Sequence, residues 1–455
     1  MKILLTGATG LVGNDVGKQL VERGHTVVAV TRNRIEAQQK LSYKAEIIEC
    51  DLTRNILSHE AFVGVDAIVN LMGESVDGRW TSKKKEKIRK SRVMASKHLL
   101  QNCPEQVKTI VSASAIGLYG DRGEESLTES SEVGQGFLSE VCQLWEGVIM
   151  RASIERKVIL RLGMVLSRKG GALKKLLSIF NRNLGAELGS GNQWMSFIAL
   201  DDLVNLICEA VENKQYNGVI NAVSGNPVRN KDFTESLCQF LEVKKMPRAP
   251  EFALKIALGQ MSELVLSSQR VTSSISLELG FAIKYPDLES ILNHELSHLK
   301  KGCSLFYAEQ FIPHGVDEVF DFFSNHENLE KITPSFLNFK IQKASSPKVQ
   351  QDSIIDYRLK VRGVPVRWRT LIRRWEPPYY FADMQVRGPY AYWDHSHSFK
   401  KVVGGTLMVD EVCYKLPLGS LGKLVAAGFV ESDVGRIFQF RRKVISTYDF
   451  RDKSV

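Results

Sequence analysis

The chain has 455 residues, enough for about three folding units or for two of unequal size. Hydrophobic residues make up 44% and charged residues 25%, a globular balance that excludes collagen-like, coiled-coil and largely disordered architectures. Lys and Arg number 61 against 51 Asp and Glu, a net charge of +10, and no apolar run reaches the roughly 18 residues of a membrane helix, so no integral membrane association is expected. The start, MKILLTGATG, turns at glycine after five residues, too soon for a secretory leader. Seven cysteines (Cys50, Cys103, Cys142, Cys208, Cys238, Cys303 and Cys413) are scattered singly without a CxxC pair. They read as thiols of a reducing compartment, and a cytoplasmic protein is expected.

Strand-like and helix-like segments alternate over the first 160 residues. KILLT (2–6) is followed by a helix from about 11 to 23, then HTVVAVT (25–31), AEIIEC (45–50), DAIVNL (66–71), KTIVSAS (108–114) and RKVILRL (156–162). That rhythm predicts a parallel sheet covered on both faces. From 163 to about 300 a helical segment near 170–181, the loop GAELGSGNQW (185–194), the run SFIAL (196–200), a helix capped by Asp202 and the strand GVINAV (218–223) predict a smaller substrate lobe.

The pattern changes again after about 302. LFYAEQFI (305–312) reads as a strand and 316–332 as a helix. Six strands are expected at 336–343, 351–360, 364–374, 378–386, 389–399 and 403–413, and then a long amphipathic helix over 421–448. A late helix against a curved antiparallel sheet would enclose an apolar cavity. Residues 301–455 hold 23 basic and 17 acidic residues, densest in RLKVRGVPVRWRTLIRRW (358–375). There Val366, Trp368, Thr370 and Ile372 alternate with Arg367, Arg369, Leu371 and Arg373, the period of a strand with one largely apolar face. No nucleic-acid partner is expected.

Gly7-Ala-Thr-Gly10-Leu-Val-Gly13 lies between the first strand and first helix. Gly7 permits the turn, Gly10 a close approach to a pyrophosphate, and Gly13 tight helix–strand packing. At the end of the second strand, where an NAD site usually carries an acid, stand Arg32 and then Arg34. A guanidinium holds a 2′-phosphate through paired hydrogen bonds, so the expected cofactor is NADP(H). Asp51 in CDLT is placed at the adenine, and Asn70-Leu-Met-Gly73 where backbone passes close to the cofactor.

TGATGLVG (6–13), NLMGESVDGRW (70–80), SASAIGLYGDRG (112–123), FLSEVCQLWE (137–146), ILRLGMVLSRKGGAL (159–173) and LGSGNQWMSFIALDDL (188–203) together resemble the extended short-chain dehydrogenase/reductases, in particular the atypical epimerase family proteins. That resemblance spans about 1–298 and implies a Rossmann-type doubly wound parallel sheet binding NADP(H), an α/β fold with a small substrate lobe. Residues 303–450 resemble START-like (SRPBCC) helix-grip domains, α+β folds that hold apolar ligands. The expected domains are 1–300, with the lobe mainly from 163–300, and 303–455. The cofactor set is Gly7, Thr9, Gly10, Leu11, Val12, Gly13, Arg32, Asp51, Leu52, Asn70, Leu71, Gly73 and Ser112.

Ordinary members of that superfamily use Ser, Tyr and Lys. Ser114 fits the serine place, but the Tyr-x-x-x-Lys places hold Phe137 and Val141, so the usual proton relay is absent. Glu74 is the expected replacement acid if the cleft desolvates it, ahead of Tyr119 and Glu140. Glu74, Arg79, Trp80, Tyr119, Gln193, Trp194 and Ser196 are the expected substrate contacts, with Arg92 nearby. His294-Glu295-Leu-Ser-His298 matches HExxH but lacks an evident third ligand. His395 and His397, on one face of a strand, suit a cavity wall as well as a metal, and no metal ligand is assigned. The functional expectation is an NADP(H)-dependent oxidoreductase or epimerase-like protein acting on a small carbonyl, carbinol or nucleotide-sugar-like molecule. The alternative is a non-catalytic NADP(H)-sensing protein with an apolar-ligand domain.

Overall fold

Seven short apolar segments form one parallel sheet because their side chains leave neither face fit for water. They are β1 (Lys2–Thr6), β2 (Thr26–Thr31), β3 (Glu46–Glu49), β4 (Ala67–Asn70), β5 (Thr109–Ala115), β6 (Arg156–Leu162) and β7 (Gly218–Ala222). Ile3, Leu4, Leu5, Ile68, Val69, Ile110 and Val111 are all buried. The computed structural model describes residues 1–274, 278–346, 348–417 and 419–450. The strand order is β3-β2-β1-β4-β5-β6-β7, so the winding reverses between β1 and β4. In such sheets ligands bind beyond the strand C-termini at the reversal, and there the glycine loop sits.

Two helices matter for the site. α1 (Leu11–Glu22) follows the glycine loop, and α2 (Phe137–Met150) packs on β5. The helix expected from an Asp202 cap begins instead at Leu200 with Ala199 as its cap residue. Asp202 accepts hydrogen bonds from the amides of Lys284 and Tyr285, both at 2.9 Å, so its carboxylate anchors a distant loop.

A second sheet is wholly antiparallel. Its strands are β8 (Ser304–Ile312), β9 (Lys340–Ala344), β10 (Ile354–Val361), β11 (Val364–Glu376), β12 (Tyr380–Arg387), β13 (Tyr392–Val402) and β14 (Gly405–Lys415). They lie in the order β8-β14-β13-β12-β11-β10-β9. A long helix, Gly419–Thr447, follows. Its buried residues Val434, Phe438, Arg441 and Ile445 recur every three or four positions, the spacing of one helical face, and Phe438 stacks on Phe306 at 4.4 Å. This arrangement is helix-grip-like. The single helix expected over 316–332 is two, Val316–Ser324 and Asn328–Lys331. Asn328 causes the break by donating its amide to the Phe322 carbonyl at 2.9 Å, one of those a helix end leaves unpaired.

The basic 358–375 stretch runs from the end of β10 through a turn at Arg362–Gly363 into β11, the two strands expected there. Trp368, Thr370 and Ile372 face inward, while Arg369 pairs with Asp356 and Arg373 with Asp394. Much of the cationic density is thus neutralised within the sheet.

Contacts divide the chain into two compact units. The first comprises Met1–Ala37, Ala45–Leu176 and Leu184–Ser297, and the second Gln38–Lys44, Leu177–Asn183 and His298–Val455. Two short segments of the first 300 residues therefore belong to the second unit. Among the described residues no helix is long and apolar enough to cross a membrane.

Candidate functional site

The glycine loop can be built only of glycine at two of its positions. Gly7 has φ of +70°, and a Cβ there would stand 2.5 Å from the Leu71 carbonyl oxygen. A Cβ on Gly13 would meet the Gly7 carbonyl at 2.2 Å. Gly10 ends the loop without a side-chain cap, so the first-turn amides of Leu11, Val12 and Gly13 are left to an anion. Thr9, Leu11 and Val12 are half-buried at the rim. This is a cradle with its donors still to be satisfied, and its chemistry fits a dinucleotide pyrophosphate.

At the end of β2, Arg32 is exposed and makes no hydrogen bond or ion pair among the described residues. Arg34 is already engaged: its guanidinium donates to the Ile47 carbonyl at 2.6 Å and its amide to Glu49 at 2.8 Å. Of the two arginines, Arg32 is the one available to a 2′-phosphate. Asp51 Oδ1 accepts from the Thr53 amide and hydroxyl at 3.1 and 2.7 Å, so half of its carboxylate shapes the turn, with Leu52 buried behind it.

Two polar rows cross the sheet near its C-terminal edge, and they change the role of several expected contacts. Thr6, Asn70 and Ser112 lie side by side in register on β1, β4 and β5. Thr6 donates to Asn70 Oδ1 at 2.8 Å, and Asn70 donates to Ser112 at 3.0 Å and Ser96 at 3.1 Å. The side chains of Asn70 and Ser112 are sealed and satisfied, which leaves them backbone contact alone with any cofactor. The second row is Ser114, Arg161 and Asn221 on β5, β6 and β7. Ser114 donates to Glu146 Oε1 at 2.6 Å, and Arg161 grips the same carboxylate at 3.0 and 2.9 Å. Tyr119, fully buried, accepts from Arg161 at 2.9 Å and donates to Asn221 at 2.7 Å. Tyr119 is therefore a core residue here, not a substrate contact or proton donor.

An apolar cluster stands in place of the Tyr–Lys relay. Phe137 opens α2 and meets Trp80 edge-on at 5.4 Å, and Val141 is buried against Trp80 and Ile88. Glu74 is not the desolvated acid expected. Its carboxylate accepts from Lys84 at 2.8 Å, and that hydrogen bond, opposed by partial burial and aided by the charges of Lys84, Lys87 and Arg32, holds its pKa below the usual carboxylate value. Its backbone is clamped by a π-helical turn, Lys90–Met94. The Ser91 hydroxyl accepts from its amide at 2.8 Å, and Arg92 donates to its carbonyl at 3.0 Å. A depressed pKa means the charged form persists as pH falls through the normal carboxylate range and is lost only at the lower folded value. Carbon-13 NMR of the Glu74 carboxyl should show a midpoint below that of an ordinary glutamate; a midpoint raised above it would restore the acid role.

The other expected substrate contacts separate by exposure. Gln193 is buried and donates to the carbonyls of Leu188 and Val265 at 3.0 and 3.1 Å. Ser196 is buried and donates to the Gln269 carbonyl at 2.8 Å. Trp80 is buried and donates to the Val76 carbonyl at 2.7 Å. These three hold loops in place. Arg79 remains exposed, and half-buried Trp194 has Arg229 and Arg270 over its ring at 4.4 and 4.8 Å.

The second unit encloses a cavity of about 510 Å³, walled by Phe322, Phe323, Tyr357, Trp368 and Phe381 among others. Polar groups enter it at Asp383, His395, His397 and Arg441.

A profile of the NAD dependent epimerase/dehydratase family matches residues 3–222, and one of a domain of unknown function, DUF1731, matches 249–295. A chloroplastic epimerase family protein of Arabidopsis thaliana is 35% identical over 64% of this chain and 86% of its own. The epimerase family protein YfhF of Bacillus subtilis is 36% identical over 66% of this chain and 99% of its own length. The chain belongs to the epimerase family. A human epimerase family protein solved with NADPH superposes with a TM-score of 0.58 at 27% identity, covering 66% of this chain and all of that one. A nucleoside-diphosphate sugar epimerase from Corynebacterium glutamicum gives 0.53 at 34% identity, over 66% of this chain and 59% of that one.

Within this epimerase-family unit the residue that sequence reading passed over is Glu146. A visible signal was Arg161, a charge inside the apolar run RKVILRL that needs a buried acidic partner. The HExxH stretch resolves differently. Its helix, α3 (Leu288–Leu296), ends before His298. His294 contacts Asp201 at 2.9 Å and Tyr285 at 3.0 Å, and buried Glu295 accepts from the Arg168 amide at 2.9 Å.

Proposed function

We propose that this protein is an NADP(H)-dependent oxidoreductase of the epimerase family that works without the Tyr–Lys relay, joined to a START-like domain that receives an apolar ligand. When bound, NADP(H) supplies hydride exchange at a carbinol or carbonyl carbon. The amides of Leu11, Val12 and Gly13 would hold the pyrophosphate, Arg32 the 2′-phosphate and the Leu71–Gly73 backbone the inner face of the cofactor. The single observation that carries the reading is an uncapped glycine cradle followed, at the end of β2, by an Arg32 guanidinium that has no hydrogen bond or ion pair among the described residues. The human relative solved with NADPH supports it. The reading places the protein in the cytoplasm, with a small molecule as partner.

Ser114 is the catalytic-place side chain that remains, and its proton already points at Glu146. A second reading, a non-catalytic NADP(H) sensor, is favoured by the apolar Trp80–Phe137–Val141 cluster. NADPH carrying deuterium at the transferring carbon separates the two. Deuterium appearing in a carbonyl or sugar-nucleotide product supports the oxidoreductase. Retention of the label across a panel of such compounds, with the cofactor bound, supports the sensor.

A further inference from the structure

Three neighbouring strands bring a second set of reactive groups together, far from the glycine loop in sequence. Asp383 on β12 lies directly opposite His395 on β13, and His397 lies directly opposite Asp410 on β14. Because side chains two apart on a strand share a face, His395 and His397 both point inward, where they are buried. One ligating atom each from Asp383, His395 and His397 lies within 4.8 Å of the others.

We propose that Asp383, His395 and His397 bind one divalent transition-metal ion whose open coordination position faces the apolar cavity of the second unit.

The hydrogen-bond geometry supports this. His395 Nε2 is 3.0 Å from Asp410 Oδ1, the same oxygen that accepts from Arg441 at 3.2 Å. Asp410 can only accept, so His395 Nε2 carries a proton, and in the neutral ring Nδ1 is a lone pair. That lone pair faces Asp383 Oδ2 at 3.7 Å, two acceptors with no donor between them. His397 Nε2 is 3.4 Å from the same Asp383 oxygen, while its Nδ1 lies 2.7 Å from Asp410 Oδ1. The separations from Asp383 exceed an ordinary hydrogen bond. The 3.4 Å separation falls within the roughly 3.0–3.5 Å between ligands that each bind a central ion at about 2.1 Å, and the 3.7 Å one lies just beyond it.

The surrounding groups divide into two shells of contact. Asp410 bonds the remote nitrogen of His395, the arrangement that fixes ring orientation in metal-ligating histidines, lies 2.7 Å from His397 Nδ1 without hydrogen-bond geometry, and is paired with Arg441. Among the described residues the ion-pair partners of Asp383 are the two imidazoles, and its charge also acts on the buried Tyr357 of the same cavity wall. Two nitrogens and one carboxylate suit zinc or ferrous iron, whereas magnesium and calcium prefer oxygen alone. Three protein ligands leave a position open, as in sites that bind or activate a small molecule. All three residues line the cavity, so an apolar molecule with an oxygen donor would be held by its body on the aromatic wall and by its donor on the ion.

The full chain, stripped with chelator and dialysed, is titrated with Zn²⁺ by calorimetry and with Co²⁺ by visible absorption. One ion per chain with Kd below about 1 µM is expected. His395→Ala and His397→Ala should each weaken binding at least about 100-fold, Asp383→Asn should do likewise, and Asp410→Asn should cost about 10–100-fold. His294→Ala should change nothing. Circular dichroism checks that each variant folds. Metal-edge absorption of the unsubstituted zinc-loaded protein, which needs no variant, should show two imidazole ligands. No binding at micromolar metal, binding that survives both histidine substitutions, or an edge spectrum without imidazole would overturn the site and leave the cluster a hydrogen-bonded cavity wall.

Discussion

Common sugar-nucleotide and simple carbonyl substrates should turn over about 10²–10⁴-fold more slowly with this protein than with a relative that carries the Tyr–Lys pair. That is the usual contribution of a positioned proton donor. Phe137 has no proton to give and Val141 no charge to hold the nicotinamide ribose. Both are committed to packing, Phe137 edge-on to Trp80 and Val141 sealed beneath it. For that reason Phe137→Tyr with Val141→Lys should not by itself restore ordinary rates. The lysine would enter a buried apolar site, and its ammonium would pay a desolvation penalty. The variant should melt earlier and gain little activity, read as NADPH consumption. Turnover by the unsubstituted protein as fast as that of a relative with the Tyr–Lys pair would contradict this expectation.

Glu146→Ala should destabilise the protein by about 3–5 kcal/mol, because it strips a buried arginine of its partner. Arg161 donates two hydrogen bonds to that carboxylate and is itself buried. Ser114 loses its acceptor in the same step. Thermal unfolding should fall by roughly 6–15 °C. Glu124→Ala removes a comparable pair with Arg229 at an exposed position and should leave the midpoint within error. Combining Glu146→Leu with Arg161→Met should recover much of the loss, since apolar replacement of a buried pair is often neutral. Equal shifts for Glu146→Ala and Glu124→Ala would contradict the structural role of the row.

What sequence made legible follows from locality. KILLT and RKVILRL become strands 2–6 and 156–162 because short β-branched runs between glycine and helix signals carry their own period. The glycine loop is legible for the same reason, since strand, turn and helix are contiguous. The errors concern side chains whose partners come from other strands. Tyr119, Gln193 and Ser196 are polar residues in family-like motifs, and polarity there suggests a ligand. Their partners include Asn221, Leu188 and Gln269, and the first and last of these lie 102 and 73 residues away. Glu74 failed on a similar count, because Lys84 lies across a loop whose path depends on the π-helical turn. The Asp383–His395–His397 cluster depends on the register of two strands, β12 and β13, which a two-residue periodicity does not specify.

NADP(H) held by the first unit through the glycine cradle and Arg32 is the proposal on which the rest depends. Titration calorimetry with NADPH and NADH on the full chain tests it most directly. NADPH should bind at least about tenfold more tightly, roughly 1.4 kcal/mol, and Arg32→Ala should erase most of that gap while Arg34→Ala leaves it in place. Equal affinities for the two cofactors in the unsubstituted protein, or a preference that survives Arg32→Ala, would contradict the account.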